Sequence, residues 1–163
     1  MKQSRGIKAS FFITLCLFSF TPTLSFAETQ ANPANSQISP VITNQIFQAA
    51  KKNDNWKFAA VTGKNAQVVF MSVSPQTNPK NEIGMETHKF DQVIFIAEGN
   101  AKAVLNDKTS IVKSGDMIFI PQGTPHNVIN LNSNKPLKII SVYSETDIPA
   151  NSVYKTMSDT PPE

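Results

Sequence analysis

From Phe58 to Ser144 the chain is a succession of short runs rich in β-branched and aromatic residues, a pattern that few folds accommodate. The runs are FAAVTG, AQVVFMSVS, QVIFIAEG, AKAVLND, TSIVKSGD, MIFIP, HNVINL and LKIISVYS, separated by clusters of Asn, Asp, Gly, Pro and Ser. Eight or so strands at roughly ten-residue spacing point to an all-β sandwich or closed barrel. Ahead of them, VITNQIFQAAKKND sets Ile42, Ile46, Phe47 and Ala50 at helical spacing, with Lys51 and Lys52 in the last turn, where the helix dipole favours cations. That spacing predicts one short N-terminal helix over residues 43–52. Beyond Ile148, the prolines Pro149, Pro161 and Pro162 predict a tail straggling over the surface, disordered over residues 158–163.

The first 27 residues fall outside this pattern. Lys2, Arg5 and Lys8 form a positive n-region, and ASFFITLCLFSF forms an apolar h-region of about the expected length. Ser25 and Ala27 supply the small side chains that signal peptidase requires before Glu28. Pro22 ends the apolar run short of the roughly 20 residues that a spanning helix needs. Residues 1–27 therefore read as a signal peptide and the protein as periplasmic or secreted, with no membrane segment after cleavage. Residues 28–40, polar and without periodicity, read as a flexible leader, which leaves residues 41–157 as the domain.

Cleavage also changes the charge argument. Three of the 15 basic residues leave with the signal peptide, so 12 lysines face 12 acidic residues in a neutral mature chain. No basic cluster with interleaved aromatics remains to bind nucleic acid. The absence of Arg after Arg5 counts against phosphate chemistry, because guanidinium forks are what grip phosphate bidentately. Cys16 lies inside the h-region, so the domain has no thiolate to act as nucleophile or metal ligand and must be held by its core.

Two stretches carry chemistry. In GDMIFIPQGTPHNVIN, Gly115-Asp116 turns into an apolar strand that Pro121 ends, since proline has no N–H to give the ladder. Gly123 and Pro125 shape a tight loop that delivers His126 to the next strand. The two-residue period sets His126 on the face of Val128 and Asn130, which directs the imidazole inward. A buried imidazole needs a metal or a hydrogen-bond partner. In EIGMETHKFDQ, Glu86 and His88 share a strand face with Cα atoms about 7 Å apart, close enough for both to reach one cation. Gln92 lies about 13 Å further along a straight strand, so it joins them only if the chain turns around Lys89-Phe90-Asp91.

Residues 115–130 fit the second motif of the cupin superfamily, G-x5-P-x-G-x2-H-x3-N, through Gly115, Pro121, Gly123, His126 and Asn130. With Gly99 setting the register of the first motif, Glu86 takes its first His place, His88 its second and Gln92 its Glu place. The chain thus resembles the small single-domain cupins (cupin type-2 conserved barrels) with an E-x-H-x3-Q first motif, over about residues 44–157. The resemblance implies a double-stranded β-helix, the jelly-roll barrel, holding one divalent metal among Glu86, His88, Gln92 and His126. Two imidazoles, a carboxylate and an amide oxygen suit Fe, Mn, Ni, Co or Zn. Such a shell leaves open positions for water or a small oxygen-bearing ligand.

Two functions follow as expectations. One is an Fe- or Mn-dependent oxidoreductase of dioxygenase or decarboxylase type. The other is a non-catalytic periplasmic protein that binds a metal or small ligand. The motif residues offer no acid or base beside the ion other than the ligands, and neither phenol, Tyr143 or Tyr154, is placed at the site by sequence. A homodimer through an open strand edge stays among the expected partners.

Overall fold

The structure, a computed structural model, describes residues 39–161. The expected signal peptide and nearly all of the expected leader lie outside the described residues. Among the described residues nine strands follow one helix in chain order: α1 (Ile46–Lys51), β1 (Lys57–Thr62), β2 (Gln67–Val73), β3 (Gln92–Glu98), β4 (Asn100–Leu105), β5 (Lys108–Lys113), β6 (Met117–Ile120), β7 (His126–Asn130), β8 (Leu137–Tyr143) and β9 (Val153–Tyr154). A 3-10 turn, Met157–Asp159, closes the series. The eight runs named from sequence become β1 to β8, and β9 is the addition.

The strands form two antiparallel sheets, six-stranded in the order β6-β3-β8-β2-β1-β9 and three-stranded in the order β5-β4-β7. Residues 82–86 extend the smaller sheet as a broken strand through bridges Glu82↔Ile129 and Glu86↔His126. Gly84, at φ +102°, accounts for the break, and the Asn127 side chain staples both sides of it. Asn127 Nδ2 donates to Glu82 Oε2 at 2.8 Å, and the Gly84 N–H donates to Asn127 Oδ1 at 3.1 Å. This is the all-β jelly-roll barrel with a short N-terminal helix that the sequence predicts.

Period-two alternation sorts each strand between the barrel interior and the outer face. On β3, Gln92, Ile94 and Ile96 face inward and are buried. They join Val69, Met71, Val128, Leu137, Ile139 and Tyr143 in the core between the sheets. Phe70, Ala97 and Ile140 face outward from the six-stranded sheet and are covered by Ala50 of α1. Apolar burial of this kind contributes roughly 25 cal/mol per Å².

Asn130 ties the motif segment to the rest of the barrel. Its fully buried amide donates to the carbonyls of Val73 (3.1 Å), Ser74 (2.8 Å) and Lys135 (3.0 Å), and its oxygen accepts from the Asn132 backbone (2.8 Å). Gly99 turns β3 into β4 at φ +101°, where a Cβ would strike the Asn132 amide.

Two expectations need correction. The helix spans Ile46–Lys51 rather than residues 43–52, because Gln45 adopts a left-handed conformation (φ 52°, ψ 49°) and no side chain caps the N-terminus. Ile42, read as part of the packing face, is 88% exposed. The tail does not straggle from Ile148. Ile148 is buried, β9 pairs with β1, and the Trp56 indole N–H donates to Thr160 Oγ1 at 3.1 Å. The apolar side chains of Ile148, Tyr154 and Met157 account for this, since each finds the core.

Candidate metal centre

Backbone pairing assembles the site before any side chain is considered. The Glu86 and His126 backbones exchange two hydrogen bonds, each 2.9 Å, which sets the two residues side by side. The loop of residues 121–125 is stitched to the segment carrying His88: the Gly123 N–H donates to the His88 carbonyl at 2.8 Å, and the Gln122 N–H donates to Asp91 Oδ1 at 2.8 Å. The two sequence motifs are therefore bound to each other through the main chain.

Glu86, His88 and His126 each present a donor atom, and these atoms all lie within 4.8 Å of one another. His88 Nε2 is 3.4 Å from Glu86 Oε2, and the two imidazoles have centroids 5.2 Å apart. His126 Nδ1 lies 2.8 Å from the Thr124 carbonyl, which can only accept. The proton therefore sits on Nδ1 and the lone pair on Nε2, the tautomer that a metal ligand requires. That Nε2 is buried and makes no hydrogen bond among the described residues.

Gln92 opens β3 directly after the bend at Lys89 and Phe90, on which its participation depended. It is 1% exposed, its Nε2 donates to Ser141 Oγ at 3.2 Å, and its Oε1 is a second buried atom with no hydrogen-bond partner among the described residues. Leaving a buried polar atom unpaired costs about 1–3 kcal/mol. A buried nitrogen lone pair within 4.8 Å of a carboxylate oxygen fits a divalent cation, and the Gln92 amide oxygen is a further buried acceptor left unpaired among the described residues.

Electrostatics prepare the same state. Burial pushes the His126 imidazole below its ordinary value, so it is neutral at pH 7. Burial alone raises the Glu86 carboxyl, but the hydrogen bond with His88 and the charge of Lys57 outweigh it and hold Glu86 below the usual carboxylate range. A neutral imidazole and an ionised carboxylate are the protonation states that bind metal.

Four residues unassigned by sequence border the site. Lys57 Nζ is 3.4 Å from Glu86 Oε1. Phe90 stacks on His88 at 4.8 Å and 8°, and the Tyr143 ring meets His88 edge-on at 5.6 Å. Asp147 Oδ1 is 3.9 Å from His88 Nδ1. Strand alternation carried a signal for two of them: Lys57 shares the inward face of Ala59, and Tyr143 that of Ser141. Asp147 had none, because its place depends on Gln67. The fully buried Gln67 accepts from the Asp147 and Ile148 N–H groups (3.0 and 3.1 Å) and donates to the Ile148 carbonyl (2.7 Å).

A two-sheet barrel with a His-His-Glu cluster inside it defines a class, the small cupin-type barrel with a site able to hold a metal ion. Residues 76–143 match the Cupin domain family, and the chain belongs to the cupins. It is similar to the protein YrkC of Bacillus subtilis (strain 168), 34% identical over 128 residues, which cover 74% of this chain and 65% of that one, a little under two thirds. A protein of Acanthamoeba polyphaga mimivirus is 32% identical over 118 residues, covering 68% of this chain and 72% of its own. The crystal structure of BH2720 from Bacillus halodurans superposes with a TM-score of 0.69 at 30% identity, over 77% of this chain and 96% of that one.

Proposed function

We propose that the protein is an exported, mononuclear metal-binding cupin that acts on a small oxygen-bearing molecule, with chemistry of Fe- or Mn-dependent dioxygenase or decarboxylase type. One observation carries the reading. Three donors converge within 4.8 Å, and one of them, the buried His126 Nε2, has no hydrogen-bond partner among the described residues. Glu86, His88 and His126 would hold the ion, with Gln92 Oε1 as fourth donor. Bound there, a divalent cation supplies Lewis-acid polarisation and a template for substrate.

The surrounding residues favour a catalytic over a storage role. A cleft of about 480 Å³ opens beside His88, within the range of small-molecule sites, and its walls include Lys57, Phe90, Asp147 and Tyr154. Phe90 and the Tyr143 ring hold the His88 plane. Asp147 offers a carboxylate 3.9 Å from His88 Nδ1, and Lys57 an ammonium beside Glu86. The charged groups that the motif residues lacked are thus supplied by β1 and by the loop after β8. Export rests on the leader of residues 1–27 alone.

The test is metal analysis of the purified protein, followed by O₂ uptake and CO₂ release with phenols, diketones and oxalate. The expected result is turnover that a chelator abolishes and metal restores. Stoichiometric metal without turnover on any substrate would assign the protein to the non-catalytic binders. Failure to take up any divalent ion at micromolar levels would contradict both.

A further inference from the structure

Among the described residues two lysines are buried, and they are satisfied very differently. Lys138 is 4% exposed, and its Nζ donates to the Asn53 carbonyl, to Asp54 Oδ1 at 2.9 Å and to Ser72 Oγ at 3.1 Å. Its three N–H donors have three acceptors, as a buried structural ammonium requires. Lys57 is 3% exposed, yet among the described residues its Nζ reaches one acceptor, Glu86 Oε1 at 3.4 Å. That is long for a charge-assisted hydrogen bond, and it leaves two N–H donors. A side chain that is almost never buried without full pairing is here buried and under-paired.

Lys57 also stands on the wall of the 480 Å³ cleft that His88 borders. Beside Lys57, its inner lining combines apolar Phe90 and Ile148 with His88 and the carboxylate of Asp147, while Lys89 and Glu145 are exposed at its rim and opposite in sign. With a divalent ion at the centre, the interior charges are +2 from the ion and +1 from Lys57, against one negative charge each from Glu86 and Asp147. The remainder is one positive charge in a low-dielectric site. A monoanion neutralises it, a neutral ligand leaves it, and a dianion overshoots it.

We infer that the cleft takes a small monocarboxylic acid with an apolar body, and that Lys57 is the specificity-determining residue that receives its carboxylate. This rests on the metal-centre reading for its charge balance. Lys57 selects the ligand by charge, and the apolar wall receives its hydrocarbon part.

The experiment compares benzoate with benzamide, and acetate with acetamide, by calorimetry on Zn²⁺-loaded and metal-free protein, in wild type, Lys57→Met and Lys57→Arg. Wild type is expected to prefer each acid over its amide by about tenfold or more, the weight of one charge-assisted hydrogen bond. Lys57→Met should erase that preference while leaving amide binding within about twofold and Zn²⁺ affinity unchanged or tighter, since a neighbouring cation has been removed. Lys57→Arg, which keeps the charge, should retain the preference. A wild type that does not prefer acids, or a Lys57→Met protein that still does, overturns the inference. If wild type takes up no Zn²⁺ but prefers acids through Lys57, the metal reading fails and the lysine assignment stands. If Lys57→Met does not fold, the wild-type comparison together with Lys57→Arg decides the question.

Discussion

His126→Ala is expected to abolish divalent-metal binding at micromolar concentrations, whereas Asp91→Ala leaves it within about tenfold of wild type. Structural zinc sites with four ligands bind with about 10–16 kcal/mol, so one ligand is worth on the order of 3 kcal/mol, more than about a hundredfold in affinity. His126 should reach that value in full. Its Nδ1–H is already committed to the Thr124 carbonyl, its Nε2 is buried, and β7 fixes its backbone against Glu86, so no other group can swing into its place. Asp91 follows the bend at Lys89 and Phe90, across from the loop that leads to His126, and plays a different part. It is exposed, and its Oδ1 accepts from the Gln122 N–H, which steadies the loop ahead of His126 without touching the ion. Calorimetric titration of both variants with Zn²⁺ checks the contrast, with circular dichroism to show that each is folded. Equal losses in the two would move the ligand set away from His126.

Asn130→Ala is expected to cost about 3–5 kcal/mol of stability, the range for breaking a buried hydrogen-bond network. The substitution strands the carbonyls of Val73, Ser74 and Lys135 and the Asn132 N–H, all of which now use one amide. It also frees the Asn132 side chain, which donates to Asn130 Oδ1 at 2.7 Å and packs under Gly99. The end of β2, the segment before β8 and the end of β7 would lose their common tie. Urea denaturation measures the loss, and the melting temperature should fall on the order of 10 °C. A loss below about 1 kcal/mol would mean that these carbonyls find water or other donors instead. The fraction that remains folded should still bind metal, because Asn130 contacts no proposed ligand.

The same alternation that places Asn130 inward also made much of the site legible. Val128 sits at an apolar inward position, and the two-residue period carries that direction to His126 and Asn130, both fully or nearly fully buried. Glu86 and His88 share a face for the same reason, and the bend that Gln92 needed occurs at Lys89 and Phe90. What pattern could not supply is the return of the chain from elsewhere. Asp147 reaches His88 only because Gln67, 80 residues earlier, clamps its backbone. Lys57 belongs to a strand whose inward face was readable, but its partner Glu86 comes from a segment that joins the sheet only through isolated bridges, and no pattern brings the two together. The helix boundary was lost to a left-handed Gln45. The tail was misread because prolines mark where ladders stop, while Ile148, Met157 and Thr160 find burial or a partner without a ladder.

Glu86, His88, Gln92 and His126 are proposed to hold one divalent cation. Anomalous diffraction at the zinc absorption edge, from crystals of the Zn²⁺-loaded protein, tests it most directly. The predicted result is one strong peak per chain at about 2.0–2.2 Å from an imidazole nitrogen of His88, from His126 Nε2, from a Glu86 oxygen and from Gln92 Oε1. A peak bound elsewhere on the barrel, with His126 Nε2 left unligated, would contradict it.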